Sequence, residues 1–343
     1  MLNPRILLEL LACHSTPGDE AEVRAVLEHH WRTAGLGVTR LGDYAVMATS
    51  PRGNQGKPVL LITAHMDSPG FAVDRLPAAT ARKHAAGLTR LGGAAFAGRR
   101  VAGVLKTRDG RTPVVICRQK CADGFDYACK PISPALQLPD ELCHGDRVCF
   151  TCHPAREGNR IDAPFLDNRL GCWVLAELAP LIAAWKSPYQ VVLGATTCEE
   201  FGGFGAPVLA RHAHPDLAIV VDATYAAAEQ NVRLGGGPVL TLSDASVLLN
   251  PARRDRVRAA LAAAGVPLQT EVYNFSGTDA RAFPHQGLTC PVLPMLLATT
   301  GNHSPHETAD LRDADPLIAA IAQLAACWPS IAKAGPRLRR QPA

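Results

Sequence analysis

Four apolar stretches of the chain are each followed by side chains that bind metals or move protons. The stretches read KPVLLITAH, VVLGATTC, LAIVV and PVLPMLLATTG. The side chains at or just after their ends are, in chain order, His65 with Asp67, Glu199 with Glu200, Asp222, and His303. A buried carboxylate is costly unless something pairs with it. Two adjacent glutamates after a core strand therefore indicate a partner, such as a metal ion, for at least one of them.

A further ligand candidate, Asp167, stands at the start of a helix-forming stretch, where the helix dipole favours an ionised carboxylate. Ligands of open α/β sheets bind outside the carboxyl ends of the strands, so we expect all these side chains to meet there. Two histidines and three of the carboxylates, with the other acids behind them, form a ligand set that suits zinc, cobalt or manganese. Five ligands with one shared carboxylate fit two metals. Because adjacent strand residues point to opposite faces, one glutamate of the pair can bind metal while the other acts as a base.

The elements that must position these side chains follow from the apolar patterns. The segment STPGDEAEVRAVLEHHWRTAG predicts a helix that is capped at Ser15 or Thr16 and stops at Gly35. The four apolar stretches predict buried strands. Helices are predicted between and after them, in DNRLGCWVLAELAPLIAAW, RDRVRAALAAAG and DADPLIAAIAQLAACW. This alternation predicts an α/β fold, a three-layer αβα sandwich with a mostly parallel central sheet.

Residues 73–158 have a different texture, with short valine runs, glycines and turns. GVLKTRDGRTPVVICRQ predicts a hairpin around Asp109-Gly110. The sequence therefore predicts a catalytic domain made of residues 1–72 and 159–343, with a small barrel-like β-rich domain inserted at 73–158. Six cysteines lie between Cys117 and Cys152. Buried thiols are the favoured interpretation, and a structural metal among them is the open alternative.

The composition excludes several other classes of protein. Among the 343 residues, 47% are hydrophobic and 19% are charged, which is typical of a folded globular chain. The net charge of +4 is too small and dispersed to indicate nucleic-acid binding. No run approaches the roughly 18 apolar residues of a membrane span. The chain shows no secretory signal, and its odd number of cysteines is typical of reduced thiols, so we expect a cytoplasmic protein.

Six segments together resemble the TET or glutamyl-aminopeptidase family of dinuclear metallo-aminopeptidases, in family order and over nearly the whole chain. They are TAHMDSPGF (63–71), FLDNRLGC (165–172), TTCEEFGGFGA (196–206), VVDAT (220–224), GTDARAF (277–283) and GNHSPHE (301–307). The resemblance implies an enzyme that removes single N-terminal residues from peptides by means of two divalent metal ions. Zinc is the first expectation for these metals, with cobalt or manganese as alternatives.

The resemblance also implies a role for each matched residue. Asp167 would bridge both metals. His65 and Asp222 would complete one metal site, and Glu200 and His303 the other. These roles leave two further matched side chains. The resemblance makes Glu199 the general base and Asp67 the group that orients His65.

Several questions stay open at this point. The same ligands would serve a related di-metal deacylase or amidase acting on small N-acyl compounds, and a catalytically inactive, peptidase-like binding protein is a further alternative. His306 competes with His303 as a ligand. Arg281 is a candidate for recognising an acidic N-terminal residue, but the preferred residue is not determined. The family resemblance implies a homo-oligomer, with a dodecamer or a dimer as the alternatives.

Overall fold

The computed structural model describes residues 2–50, 56–77, 85–122, 124–185 and 187–331. The α-helices in this part of the chain are α1 (Pro4–Leu11), α2 (Ala21–Thr33), α3 (Leu166–Ala184), α4 (Gly205–Ala213), α5 (Pro251–Ala263), α6 (Ala282–His285) and α7 (Ala314–Ile331). The strands are β1 (Gly37–Leu41), β2 (Ala45–Thr49), β3 (Val59–His65), β4 (Gly70–Arg75), β5 (Ala86–Leu91), β6 (Arg100–Thr107), β7 (Gly110–Cys121), β8 (Gly124–Pro131), β9 (Arg147–Phe150), β10 (Ala155–Glu157), β11 (Arg160–Ala163), β12 (Gln190–Thr196), β13 (Leu217–Tyr225), β14 (Val239–Ser243), β15 (Gln269–Val272), β16 (Val292–Thr300) and β17 (Glu307–Asp310).

The first predicted helix begins later than its sequence indicates. Helix α2 starts at Ala21, so the predicted cap at Ser15 or Thr16 is wrong. The hydroxyl of Ser15 instead donates to the main-chain oxygen of Met66, at 2.8 Å, and so ties the N-terminal segment to the end of β3. The predicted stop is confirmed, because the chain leaves α2 through Gly35 with a φ of +83°. Glycine adopts this left-handed conformation without steric cost.

The larger sheet is mixed. Its strands follow the order β1-β2-β12-β3-β13-β16-β17-β11-β10, with β14 beside β16 and β15 beside β14. Strands β12, β3, β13 and β16 are parallel, whereas the pairs toward both margins of this path are antiparallel. The predicted mostly parallel sheet is thus right for the centre and wrong for the margins. Tight turns join β1 to β2 and β10 to β11, and such connections allow only antiparallel pairing.

Alternate residues of the central strands face two separate cores. Leu60 and Ile62 of β3 pack in a core with residues from α1, α2, α3 and α7. Leu61, between them, packs on the other side with Leu209 of α4 and Phe283 of α6. Because successive side chains of a strand point to opposite faces, helices cover both faces of the sheet.

Six strands between Gly70 and Phe150 form a closed barrel in the order β4-β5-β8-β7-β6-β9. The hairpin predicted around Asp109-Gly110 is present, with Thr107 of β6 opposite Gly110 of β7. Phe71, Tyr127 and Phe150 meet inside the barrel, with ring centroids 5.2 and 6.1 Å apart. The division of the chain at residues 73 and 158 into two domains stays a prediction.

Among the described residues, no helix is both long enough and apolar enough to span a lipid bilayer.

Candidate metal centre

The carboxyl ends of the central parallel strands bring the predicted ligands together. His65 is the last residue of β3, and His303 follows the end of β16. Asp167 lies in the first turn of α3, where its backbone departs from helical angles. Asp222 does not end its strand as predicted, because β13 continues to Tyr225 in register with β16. All four residues line the same cavity, which has a volume of about 280 Å³.

Asp167 lies between the two histidines. Its Oδ1 is 3.3 Å from Nε2 of His65, and its Oδ2 is 3.4 Å from Nε2 of His303. The same nitrogen of His65 lies 3.2 Å from Oδ1 of Asp222. The same nitrogen of His303 lies 3.4 Å from Oε1 of Glu200. The site therefore consists of two sets, each with one histidine and one carboxylate of its own, which share the carboxylate of Asp167.

The two adjacent glutamates lie in a turn and not in a strand. Strand β12 ends at Thr196, and Cys198 then takes the left-handed region with a φ of +57°. The prediction that the two side chains point to opposite faces of a strand is therefore wrong, and a different contact fixes the pair. The carboxylate of Asp67 accepts from the main-chain N–H of Glu199 at 3.0 Å and of Glu200 at 3.1 Å. Both glutamate side chains line the cavity as a result.

Asp67 also contacts the first histidine. Its main-chain oxygen lies 3.1 Å from Nδ1 of His65, and its carboxylate Oδ1 lies 3.5 Å from the same nitrogen. A hydrogen bond at Nδ1 leaves Nε2 free to face the shared carboxylate of Asp167. Asp67 thus holds both the imidazole and the turn that carries Glu199 and Glu200.

Glu199 has a cationic partner. Nη2 of Arg281 donates to Oε1 of Glu199 at 3.0 Å, and the arginine side chain is partly exposed at the cavity wall. The sequence left Arg281 as a candidate for binding an acidic N-terminal residue. In the structure its guanidinium is engaged by Glu199, and aromatic rings, Tyr225, Tyr273 and Phe275, form the neighbouring wall.

The protonation of the site follows from burial and from mutual repulsion of the carboxylates. Burial raises the pKa of Asp222 to about 6, although His65 opposes the shift. Burial also raises the pKa of Glu200 well above its ordinary value, and the charge of Asp167 adds to this. Burial acts on the pKa of Asp167 in the same direction, but the neighbouring imidazoles of His303 and His65 outweigh it and hold that pKa below its usual range.

Glu199 and His65 complete this balance. Burial raises the pKa of Glu199 well above its ordinary value, against the opposing field of His65. Burial would lower the pKa of His65, but Asp222 and Asp167 outweigh it and raise that pKa. The site thus gathers more carboxylates than the two imidazoles can neutralise. A bound cation would relieve the repulsion among these carboxylates.

The donor atoms fit divalent cations. Within the described residues, His65, Asp167 and Glu200 form a group whose ligand atoms all lie within 4.8 Å of one another. Oδ1 of Asp167 and Oε1 of Glu200 are buried and accept no hydrogen bond from the described groups. Such buried oxygens are normally satisfied, so they indicate a bound partner. Imidazole nitrogen and carboxylate oxygen are the donors that zinc takes in hydrolases.

Three buried charged residues support the site and were missed from the sequence. The carboxylate of Glu307 accepts from the main-chain N–H of Asp167 and of His303, both at 2.9 Å. Glu20 accepts from the N–H of Cys198 at 3.1 Å. Arg169 is fully buried, and its Nη1 donates to the main-chain oxygen of Met66, the residue after His65, at 2.7 Å. A charged residue type carries no sequence signal of burial, although Glu307 closes the segment GNHSPHE.

The rival ligand candidates lie elsewhere. His306 is largely exposed, and its Nδ1 is 3.1 Å from Oδ1 of Asp162. The structure therefore brings His303, and not His306, into the cluster. Within the described residues none of the eleven cysteines forms a disulfide, and those from Cys117 to Cys152 contribute to no group of three metal-binding side chains. Cys149 lies in β9, and burial raises the pKa of its thiol to about 12.

A sheet that gathers two histidines and three carboxylates at its central strand ends defines the class of metal-dependent α/β hydrolases. Comparison with known proteins gives the family. The profile of the family described as M42 glutamyl aminopeptidase matches residues 141–319. The chain belongs to the M42 glutamyl aminopeptidase family, whose members hydrolyse peptide bonds.

Curated relatives agree with this family. A glutamyl aminopeptidase of Lactococcus lactis subsp. cremoris is 27% identical over 299 residues, which cover 80% of this chain and 81% of that protein. A putative aminopeptidase of Acetivibrio thermocellus is 29% identical over 181 residues. That alignment covers 49% of this chain, and the chain spans about half (52%) of that relative.

Solved structures share the fold over almost the full length. An aminopeptidase from the archaeon Desulfurococcus kamchatkensis superposes with a TM-score of 0.85 at 22% identity, covering 98% of each chain. The TET1 peptidase of Pyrococcus horikoshii, which can assemble into a tetrahedron or a large octahedral shell, gives a TM-score of 0.79 at 22% identity. It covers 94% of this chain and 98% of its own.

Proposed function

We propose that the chain is an aminopeptidase that uses two divalent metal ions to release N-terminal residues from peptides. The observation that carries the proposal is the position of Asp167, whose two oxygens face the Nε2 atoms of two different histidines. His65 and Asp222 would hold one ion, and Glu200 and His303 the other, with Asp167 shared. Zinc is the proposed metal, with cobalt or manganese as alternatives.

Bound there, such ions lower the pKa of a coordinated water and polarise the scissile carbonyl. The chain itself supplies the proton transfers. Oε1 of Glu199 is engaged by Arg281, so Oε2 is the oxygen that takes a proton from the attacking water. Water oxygen bonds to the carbonyl carbon, the carbon–nitrogen bond then breaks, and Glu199 returns its proton to the leaving amine. Asp67 keeps Glu199 beside the ligands through the hydrogen bonds to the turn.

We also propose that residues 73–158, which contain most of the barrel, form a separate inserted domain, as the sequence predicted.

A homo-oligomer is proposed as well. It is supported by the assembly that the TET1 peptidase of Pyrococcus horikoshii is described to form. The cavity of about 280 Å³ is slightly smaller than typical small-molecule sites, which run from about 300 to 1,000 Å³. A space of this size suits a single residue of the substrate and supports removal of residues one at a time.

The test pairs metal content with substrate cleavage for the wild type and for Glu199→Gln. Metal is measured by elemental analysis, and cleavage is measured on aminoacyl-anilides, short peptides and N-acylated amino acids. We expect two metals per chain in both proteins, and N-terminal release by the wild type alone. Glu157→Gln, which changes an exposed glutamate of β10, is the matched control and should cleave as the wild type does.

Three results would contradict the proposal in different ways. Cleavage of N-acylated compounds and of no peptide would assign the chain to the deacylases. If the protein binds no metal and cleaves no substrate after zinc or cobalt is added, the metal mechanism is refuted. The chain would then be assigned to the catalytically inactive binding proteins. Full activity of Glu199→Gln would show that another group moves the protons.

A further inference from the structure

A basic depression lies on the barrel formed by β4–β9. It has a volume of about 790 Å³, and we define it by the cationic side chains that line it: Arg75, Arg99, Arg100, Arg118, Lys120 and Lys130. Among the described lining residues, Asp126 is the carboxylate that opposes them. Five of the six cations are exposed, and Arg118 is half-buried. Like charges gathered in a concave surface create a field that attracts anions.

The wall of the basic depression is held in place before any ligand arrives. The guanidinium of Arg118 lies 4.6 Å from the ring centroid of Phe125 and 5.4 Å from that of Phe96. Its Nε donates to the main-chain oxygen of Gly98 at 2.6 Å. The main-chain N–H of Arg118 also donates to the oxygen of Arg99 at 3.0 Å. A cation ordered in advance loses little conformational entropy when an anion binds.

A groove runs from the basic depression toward the metal centre. It has a volume of about 550 Å³, shares Arg75 and Phe125 with the depression, and reaches Gly92 and Phe201. Gly92 packs on the main chain of Glu200, since a Cβ on this glycine would lie 3.0 Å from the glutamate's carbonyl oxygen. Phe201 follows Glu200 directly and is 49% exposed. One end of the groove therefore lies beside the proposed ligand Glu200.

We propose that the basic depression binds acidic residues in the downstream part of a peptide whose first residue lies at the metal centre. The inference rests on the proposed function, because an exopeptidase encloses only the N-terminus and the remaining chain must leave its small cavity. The groove gives that chain a path along the barrel. An extended peptide also fits the aromatic contacts better than a nucleic acid does, since Arg118 already covers Phe125 and reduces the face available for base stacking.

The experiment compares peptides that share their first three residues and differ only downstream. One has an alanine tail, and the others carry three consecutive glutamates starting at the fourth, sixth or eighth position. We expect at least one acidic tail to raise kcat/KM by about tenfold through KM alone, because attraction between exposed charges adds ground-state binding. The advantage should disappear in about 0.5 M sodium chloride, where such charges are screened.

The double variant Arg99→Glu/Arg100→Glu tests whether these two arginines of the basic depression bind the acidic tail. The milder Arg99→Gln/Arg100→Gln removes the charges without reversing them and controls for a folding defect. The readout is the ratio of kcat/KM for the acidic tail over the alanine tail, in which any general loss of activity cancels. We expect this ratio to fall to about one in the first variant and to an intermediate value in the second. Arg258→Glu, an exposed charge reversal on α5, is the matched control and should keep the wild-type ratio.

Direct binding separates this inference from the proposed function. A fluorescent hexaglutamate peptide with an acetylated N-terminus is titrated into the protein, because it reaches the basic depression without needing cleavage. Binding that is lost in Arg99→Glu/Arg100→Glu supports the depression even if no peptide is hydrolysed. Equal ratios for all tails together with no binding would overturn the inference while leaving an active aminopeptidase intact. Tighter binding of a single-stranded oligonucleotide than of the peptide would overturn it as well.

Discussion

The buried carboxyl of Glu20 makes a prediction whose size follows from the structure. This side chain is 2% exposed, and its Oε1 accepts from the main-chain N–H groups of Gly18 at 2.7 Å and Cys198 at 3.1 Å. Burial, together with the charge of Asp67, raises its pKa from 4.5 to about 7. The same carboxyl thus links the N-terminal segment to the turn that carries the proposed base Glu199.

The sign of the pH dependence follows from these two values. In the unfolded chain Glu20 loses its proton near pH 4.5, whereas in the folded chain it keeps the proton until about pH 7. The folded state therefore binds more protons between these values, and its stability falls as pH rises through this window. A shift of about 2.5 units at about 1.4 kcal/mol each amounts to about 3 kcal/mol at pH 8.

Glu20→Gln removes this titration and keeps an oxygen that accepts the two main-chain hydrogen bonds. We expect the stability of the variant relative to the wild type to rise by about 3 kcal/mol between pH 4.5 and pH 8. Urea denaturation of the metal-loaded proteins at several pH values measures this difference. Taking the difference cancels the titration of groups common to both proteins. A constant difference across the window would refute the buried-carboxyl argument.

Glu28→Gln is a control, because its effect on stability should depend on pH in the opposite direction. The side chain of Glu28 is 3% exposed and forms a hydrogen-bonded ion pair with Arg40, which holds the pKa of Glu28 below its ordinary value. A lowered pKa contributes stability above pH 4.5, and this stability is lost as the pH falls through the folded value. Glu28→Gln should therefore destabilise the protein at neutral pH and approach the wild type in acid.

Three further substitutions test the site itself. Arg281→Ala should lower kcat by about tenfold or more while metal content stays unchanged, because it frees the base Glu199 from its fixed position. Gly93→Ala should reduce metal stoichiometry toward one per chain, since the added Cβ would lie 2.5 Å from Nδ1 of His303. Glu307→Gln should weaken metal affinity by about 10- to 100-fold, because the carboxylate that ties the two ligand segments together is altered.

Each of these three substitutions has a control variant that makes a similar chemical change without the proposed effect on the site. Arg281→Lys retains the charge and should retain more activity than Arg281→Ala. Gly37→Ala adds the same methyl group in β1, where the nearest atoms lie 3.8 Å away, and should leave metal content unchanged. Glu271→Gln alters another buried carboxyl, which accepts from Thr224 and Thr241, and should not weaken metal binding. A weakened metal affinity in Glu271→Gln equal to that of Glu307→Gln would assign the effect to general instability.

The sequence alone predicts which histidines and carboxylates meet at the candidate metal centre. Apolar runs long enough to be buried strands placed His65 and Asp222 on central strands, and parallel pairing sends the carboxyl ends of such strands to one edge. The family was indicated by the resemblance of six segments, in the same order, to those of its members. These features are local, or depend on a rule that holds for all open parallel sheets, so a single chain reveals them.

Only folding establishes the contacts between segments that are distant in the chain. Glu307 joins Asp167 to His303, and Arg281 engages Glu199, because folding brings loops together whose separation in sequence carries no information on distance. The basic depression arises in the same way. A net charge of +4 reads as dispersed along the chain, but barrel closure places cations from several strands on one concave surface. Charge patterns along a sequence show composition, and only the fold determines which charges share a surface.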